Sequence, residues 1–323
     1  MKFLDKIEPL LLLSAVAAGL ALGASSAARS LSGAFVSPFL TFMLLGLFWE
    51  VPLKDISKSF QNVKFTFTSF CVNFIWTPFF AWLLSKVFLG SESALALGFI
   101  LLMVTPCTDW YLVFTGMAKG NLNLSVALLP FNLVVQVILL PVYILILGGS
   151  AGWTDPFLLL KSVILVLLAP FLAAKLVKRL LRNKERERGL METLFAKRQF
   201  FWLWMAICAM FASEKIIDKN NLPVFLLLLI PVVFFFTATF ILSKNIGRVL
   251  NFDSPDTVSL IFTTLARNSP LALAFAQKAF PGESRILLPL IIGPLVELPI
   301  LALTAQMIIM AARKKSATEP TVS

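Results

Sequence analysis

Residues 103–110 read MVTPCTDW and residues 264–270 read TLARNSP; each stretch interrupts an otherwise apolar run. Proline removes a backbone donor and clashes with the preceding turn, and it pushes the residue before it out of the helical region. Each interruption leaves N–H and C=O groups without intrahelical partners. At membrane depth such groups are tolerated only where protein or a wet cavity surrounds them. Paired interruptions in two halves of a chain point to a ligand site, where half-helix N-termini offer amide donors.

The composition supports that setting. Of 323 residues, 59% are hydrophobic and 14% charged, against about 25% charged in soluble chains. Ten apolar runs are long enough for a helix crossing of about 20 residues: 9–28, 35–51, 65–90, 94–118, 123–147, 156–176, 199–216, 223–243, 256–278 and 286–311. They do not alternate every second residue, which disfavours a barrel. The first run follows Lys2 and Lys6 and ends in small residues, like a secretion signal; nine further runs follow it, so it reads as a retained helix. Twenty of the 28 basic residues fall at the N-terminus, in the even connections and at the C-terminus. Basic loops stay cytoplasmic, so both termini are expected inside and the chain in the plasma (inner) membrane. The formal charge of +11 is thus a topology signal. No folded basic surface interleaved with aromatics suggests nucleic acid.

The longest polar stretch, residues 178–198, divides the spans five and five. An odd repeat must enter the membrane from the opposite side, so the expected fold is all-α: ten transmembrane helices as two inverted five-helix repeats, with helices 4 and 9 broken. Residues 1–148 form the first repeat, 149–198 hold helix 6 and a basic cytoplasmic linker, and 199–323 complete the second repeat and tail. Correspondences between the halves support this: LLSK at 83–86 and ILSK at 241–244, Glu50 and Glu214, and Pro106–Pro130 and Pro270–Pro294, each pair 24 residues apart.

The Pro-Cys-Thr at 106–108, GMAKGN at 116–121 and LVELP at 295–299 resemble the arsenite efflux permeases, a branch of the bile acid:sodium symporter superfamily. The resemblance implies a core domain (helices 3–5 and 8–10) and a panel domain (helices 1, 2, 6 and 7), with the broken helices 4 and 9 crossing at their breaks. It also implies a functional pair, Cys107 and Glu297. Two features depart from it: Asp109-Trp110 follow the Cys-Thr, and Thr263 and Arg267 align where sodium-coupled relatives carry sodium ligands. An arginine there would repel sodium.

Three acidic or basic side chains fall clearly inside the membrane: Asp109, Arg267 and Glu297. An isolated Asp or Arg at mid-bilayer costs roughly 2.5–3.5 kcal/mol on insertion scales, so Asp109 and Arg267, beside the two breaks, are expected to pair. That pair either fastens the crossing or competes with a ligand for the guanidinium fork. Glu297 lies between Pro294 and Pro299; with no histidine in the chain, it is the proton-coupling candidate. Cys107 at the break offers a soft ligand suited to trivalent arsenic. The candidate substrate contacts are Cys107, Thr108, Asp109, Arg267, Asn268 and Ser269, with Pro106 and Pro270 making the breaks. Asn132 and Gln136 are further polar positions in span 5.

The absence of His excludes His-based triads and His-bearing zinc sites. The three cysteines are far apart and suggest no disulfide framework. No metal, cofactor or enzymatic activity is expected, and no nucleotide-binding loop is present. Three readings stand: a secondary transporter exporting arsenite or a related small oxyacid against protons, an organic-anion transporter not coupled to sodium in the usual manner, and a membrane sensor or scaffold. The expected partners are the small-molecule substrate, protons and lipid.

Overall fold

The computed structural model describes residues 14–50, 60–90, 92–108, 110–149, 156–213 and 222–318. Among them the chain is helical, with one isolated antiparallel bridge. In chain order the helices are α1 (Ser14–Gly23), α2 (Ser26–Glu50), α3 (Phe60–Leu89), α4 (Ser93–Met103), α5 (Trp110–Met117) and α6 (Leu122–Leu147). After them come α7 (156–180), α8 (185–196), α9 (Gln199–Ser213), α10 (Leu222–Val249), α11 (Ser254–Leu265), α12 (Ser269–Ala279) and α13 (Ser284–Thr318).

Among the described residues, α2, α3, α6, α10 and α13 each contain a segment long and apolar enough to cross a membrane. The protein is a multi-pass membrane protein. Its outward faces carry Phe67, Ile75, Ile138 and Phe234, side chains that bilayer hydrocarbon solvates. The runs at 94–118 and 256–278 are each split, into α4 with α5 and α11 with α12. At 1.5 Å per residue, these halves of 8 to 12 residues are each too short for a hydrocarbon core of about 30 Å.

Helix starts follow side-chain caps. Asn121 accepts from the Leu124 amide at 3.3 Å, Asp253 from Asp256 at 2.7 Å, and Asn268 from Leu271 at 3.2 Å. The same starts are tied together. Asn121 Nδ2 donates to Asp256 Oδ1 at 2.8 Å, joining α6 to α11, and Arg285 on α13 pairs with Glu92, the N-cap of α4.

Lipid tails are as apolar as leucine, so close packing has to hold the helices together. Small residues allow it. Gly19 and Gly23, one turn apart, press α1 onto α9: a Cβ on Gly19 would lie 2.5 Å from the Cys208 carbonyl oxygen. On α4, a Cβ on Gly98 would collide with the Ile286 carbonyl of α13. Two groups of helices result. α2 packs on α7, α8 and α9; α4 packs on α3 and α13, and α10 on α3 and α11. α12 touches both groups, lying against α2 and α7 on one side and α4 and α13 on the other.

Candidate binding site at the crossed breaks

The two breaks meet. Pro106 and Arg267 form the antiparallel bridge, in which the Cys107 amide donates to the Ala266 carbonyl at 2.9 Å and the Asn268 amide to the Thr105 carbonyl at 2.7 Å. Each interruption satisfies polar groups that the other exposes, which answers the cost of irregular backbone at depth. An antiparallel bridge has local two-fold symmetry. Across it Pro106 faces Arg267, Cys107 faces Ala266 and Thr105 faces Asn268, while the two-fold relates Pro106 to Arg267 and Cys107 to Asn268. The Cys107 and Asn268 amides are engaged in the bridge, and Asn268 caps α12, so these expected half-helix donors already have partners.

Arg267 is 1% exposed and the largest fully buried side chain among the described residues. Nε donates to the Leu265 carbonyl at 3.0 Å, Nη1 to the Met103 carbonyl at 2.8 Å, and Nη2 to Asn73 Oδ1 at 3.1 Å and to the Thr264 carbonyl. The Phe235 ring centroid lies 5.6 Å from the guanidinium carbon. Asp109, the partner expected for it, lies outside the described residues. Glu297, buried on α13, accepts the Arg267 backbone amide through Oε1 at 2.7 Å. Its contact to the second break is thus a main-chain group.

Beside the bridge is a cavity of about 200 Å³. Cys107, Asn268 and Pro270 line its inner wall, Trp110 and Val113 of α5 one flank, and Met43, Leu47, Gln199, Phe200 and Leu203 of α2 and α9 the far wall. It therefore opens between the two helix groups, at the breaks. Cys107 is a buried thiol outside any disulfide. Asn268 Nδ2 donates to Thr108 Oγ1 at 3.3 Å, while Ser269 is buried in the first turn of α12. Arg267 and Glu297 lie behind the bridge, and neither is among the cavity-lining residues.

Sequence reasoning missed Asn73 and Phe235, which complete the surroundings of Arg267, and the far wall on α2 and α9. For Asn73 a signal existed: it is a lone amide in an apolar run, and it sits in the π turn Val72–Trp76 within α3. Such turns recur at functional sites. Asn132 and Gln136 on α6 are 1% exposed, and none of their side-chain amide atoms has a hydrogen-bond partner among the described residues.

The profile of the Sodium Bile acid symporter family matches residues 37–220, a stretch that includes the first break. The chain is similar over its whole length to the arsenical-resistance protein Acr3 of Corynebacterium glutamicum. The two are 26% identical over 353 aligned positions, covering 100% of this chain and 93% of that one. It is also 24% identical to an uncharacterized protein of Bacillus subtilis, YbaS, over 85% of this chain and 92% of that one.

Proposed function

This chain belongs to the sodium bile acid symporter family and is a membrane transporter; from that premise we propose that it exports arsenite or a related small oxyacid in exchange for protons. The observation that carries this reading is the thiol of Cys107 on the wall of a small cavity between two crossed, broken helices. About 200 Å³ falls below the roughly 300–1,000 Å³ of sites for drug-sized ligands, which favours a small oxyacid over a bulky organic anion. The full-length similarity to a protein named for arsenical resistance supports the same choice.

The chemistry at the site is a reversible condensation. The Cys107 sulfur forms a bond to trivalent arsenic, one As–O bond breaks, and the thiol proton leaves with that hydroxide as water. Soft sulfur suits this centre. Cys71 and Cys208 are not among the cavity-lining residues, so a single thiolate holds the substrate and can release it. Asn268, which lines the cavity, supplies a hydrogen bond to a remaining hydroxyl; Thr108 adjoins it by hydrogen bond and Ser269 in sequence, and Asp109 follows Thr108 at the first break. Glu297 carries the exchanged proton. Its carboxyl oxygen holds the amide of Arg267, the bridge residue opposite Pro106, so a change of charge there acts on the strand that lines the cavity.

The architecture we propose is ten spans in two inverted repeats, in the plasma membrane with both termini cytoplasmic. α3–α6 and α10–α13 form the core, and α1, α2, α7 and α9 form the panel that rocks over it. The shift in numbering that carries Pro106 onto Arg267 supports the repeat. It also carries Glu92 onto Asp253, the N-caps of α4 and α11, Ser93 onto Ser254, and Gln136 onto Glu297. Pro270 lies beyond that register, in the first turn of α12; the equal proline spacings therefore come from two different local roles.

The test is arsenite uptake by proteoliposomes under an imposed pH gradient, in sodium-free buffer. The expected result is uptake that follows the pH gradient in wild type, and loss of that dependence in Glu297→Gln. Uptake of carboxylates but not arsenite would replace this reading with the organic-anion one.

A further inference from the structure

The surroundings of Arg267 are unusual for a buried cation. Among the described residues its guanidinium makes four hydrogen bonds, and all end on neutral oxygens: the Met103, Thr264 and Leu265 carbonyls and Asn73 Oδ1. Among the described residues no carboxylate lies within ion-pair distance of it. Met103 is the last residue of α4, and Thr264 and Leu265 are the last two of α11. Terminal carbonyls lack intrahelical partners and carry the negative end of the helix dipole. Two such ends converge here on one point. Asn73 Oδ1 completes the set because its Nδ2 is tied to Ser69 Oγ and the Thr263 carbonyl, each at 3.3 Å. The Phe235 face closes the site, in an arrangement that itself favours a cation.

An oxygen-only cage at half-helix C-termini is a site for a small hard cation. In this molecule the cation is covalently attached. We propose that the Arg267 guanidinium is a tethered cation: it fills a carbonyl cage between α4 and α11, makes the crossing independent of any dissociable alkali ion, and leaves a monovalent-cation site when truncated. Arg267 is in this account a positioning residue that acts on the bridge and has no contact with substrate. The inference does not depend on the substrate assigned above, because its test contains no substrate.

The full chain, purified in detergent, is melted in N-methylglucamine chloride and in the same chloride concentration supplied as sodium, potassium or guanidinium. Wild type is expected to melt at one temperature in all four. Arg267→Ala and Arg267→Gln are expected to melt lower in N-methylglucamine and to recover saturably with sodium or guanidinium, by roughly 2–4 °C or more. Arg267→Lys, which keeps a charge, is expected to respond to none of them. The proposal is overturned if the neutral variants melt identically in all four salts, or match wild type without a small cation. It is equally overturned if they yield no folded protein even with sodium or guanidinium present throughout extraction.

Discussion

The two breaks share a backbone and differ in what they bring to it. At the first, Pro106 has no amide to donate, and the neighbouring side chain is a thiol on the cavity wall. At the second, Arg267 donates its amide to Glu297, its guanidinium gathers the carbonyls of both half-helix ends, and Asn268 caps the helix that follows. One break presents reactive chemistry while the other holds the crossing together. The residues that the bridge's local two-fold relates, Cys107 with Asn268 and Pro106 with Arg267, are where this division can be tested.

The sharpest contrast is expected between the two bridge residues. Without small cations, Arg267→Ala should cost about 3–5 kcal/mol, because it leaves several buried oxygens unsatisfied at about 1–3 kcal/mol each. Pro106→Ala should cost about 1 kcal/mol or less, the loss of proline's restriction on the unfolded chain. Chemical denaturation in detergent would read both, and equal losses would dissolve the comparison. Next in size is the cap: Asn268→Ala should lower stability by about 1 kcal/mol, through the Leu271 amide it leaves unpaired. The smallest effect is expected at the proposed counterpart of Glu297. Gln136 would face Pro106, which has no amide to offer, and its carboxamide atoms have no partner among the described residues. Gln136→Leu should therefore be neutral or slightly stabilising, since it removes an unsatisfied buried amide. A loss above about 1 kcal/mol would give Gln136 a partner that the geometry does not.

Much of this was legible in the sequence, for identifiable reasons. Proline and clustered polar residues inside apolar runs mark a break wherever they occur, so 103–110 and 264–270 stood out, and Cys107 and Asn268 do reach one cavity. The partners of Arg267 were hidden. A search along the sequence looks for an opposite charge and finds Asp109, whereas three of the four acceptors described around the guanidinium are main-chain carbonyls, which every residue carries. They become acceptors only because α4 and α11 end where they do. Asn73 arrives from α3, remote in sequence, and only the π turn in that helix singles it out. The cavity's far wall was hidden for a simpler reason. Met43, Leu47 and Leu203 are apolar residues among many others, and nothing local separates a wall of the site from a face toward lipid.

The central claim is that the first break holds the substrate through one thiol. Its most direct test is arsenite flux into proteoliposomes carrying Cys107→Ser, beside a protein in which Cys71 and Cys208 are both alanine. The account predicts near wild-type flux when Cys107 is the sole cysteine, and a loss on the order of 100-fold in Cys107→Ser, since a hydroxyl cannot replace soft sulfur at arsenic. Undiminished flux through folded Cys107→Ser protein would contradict it.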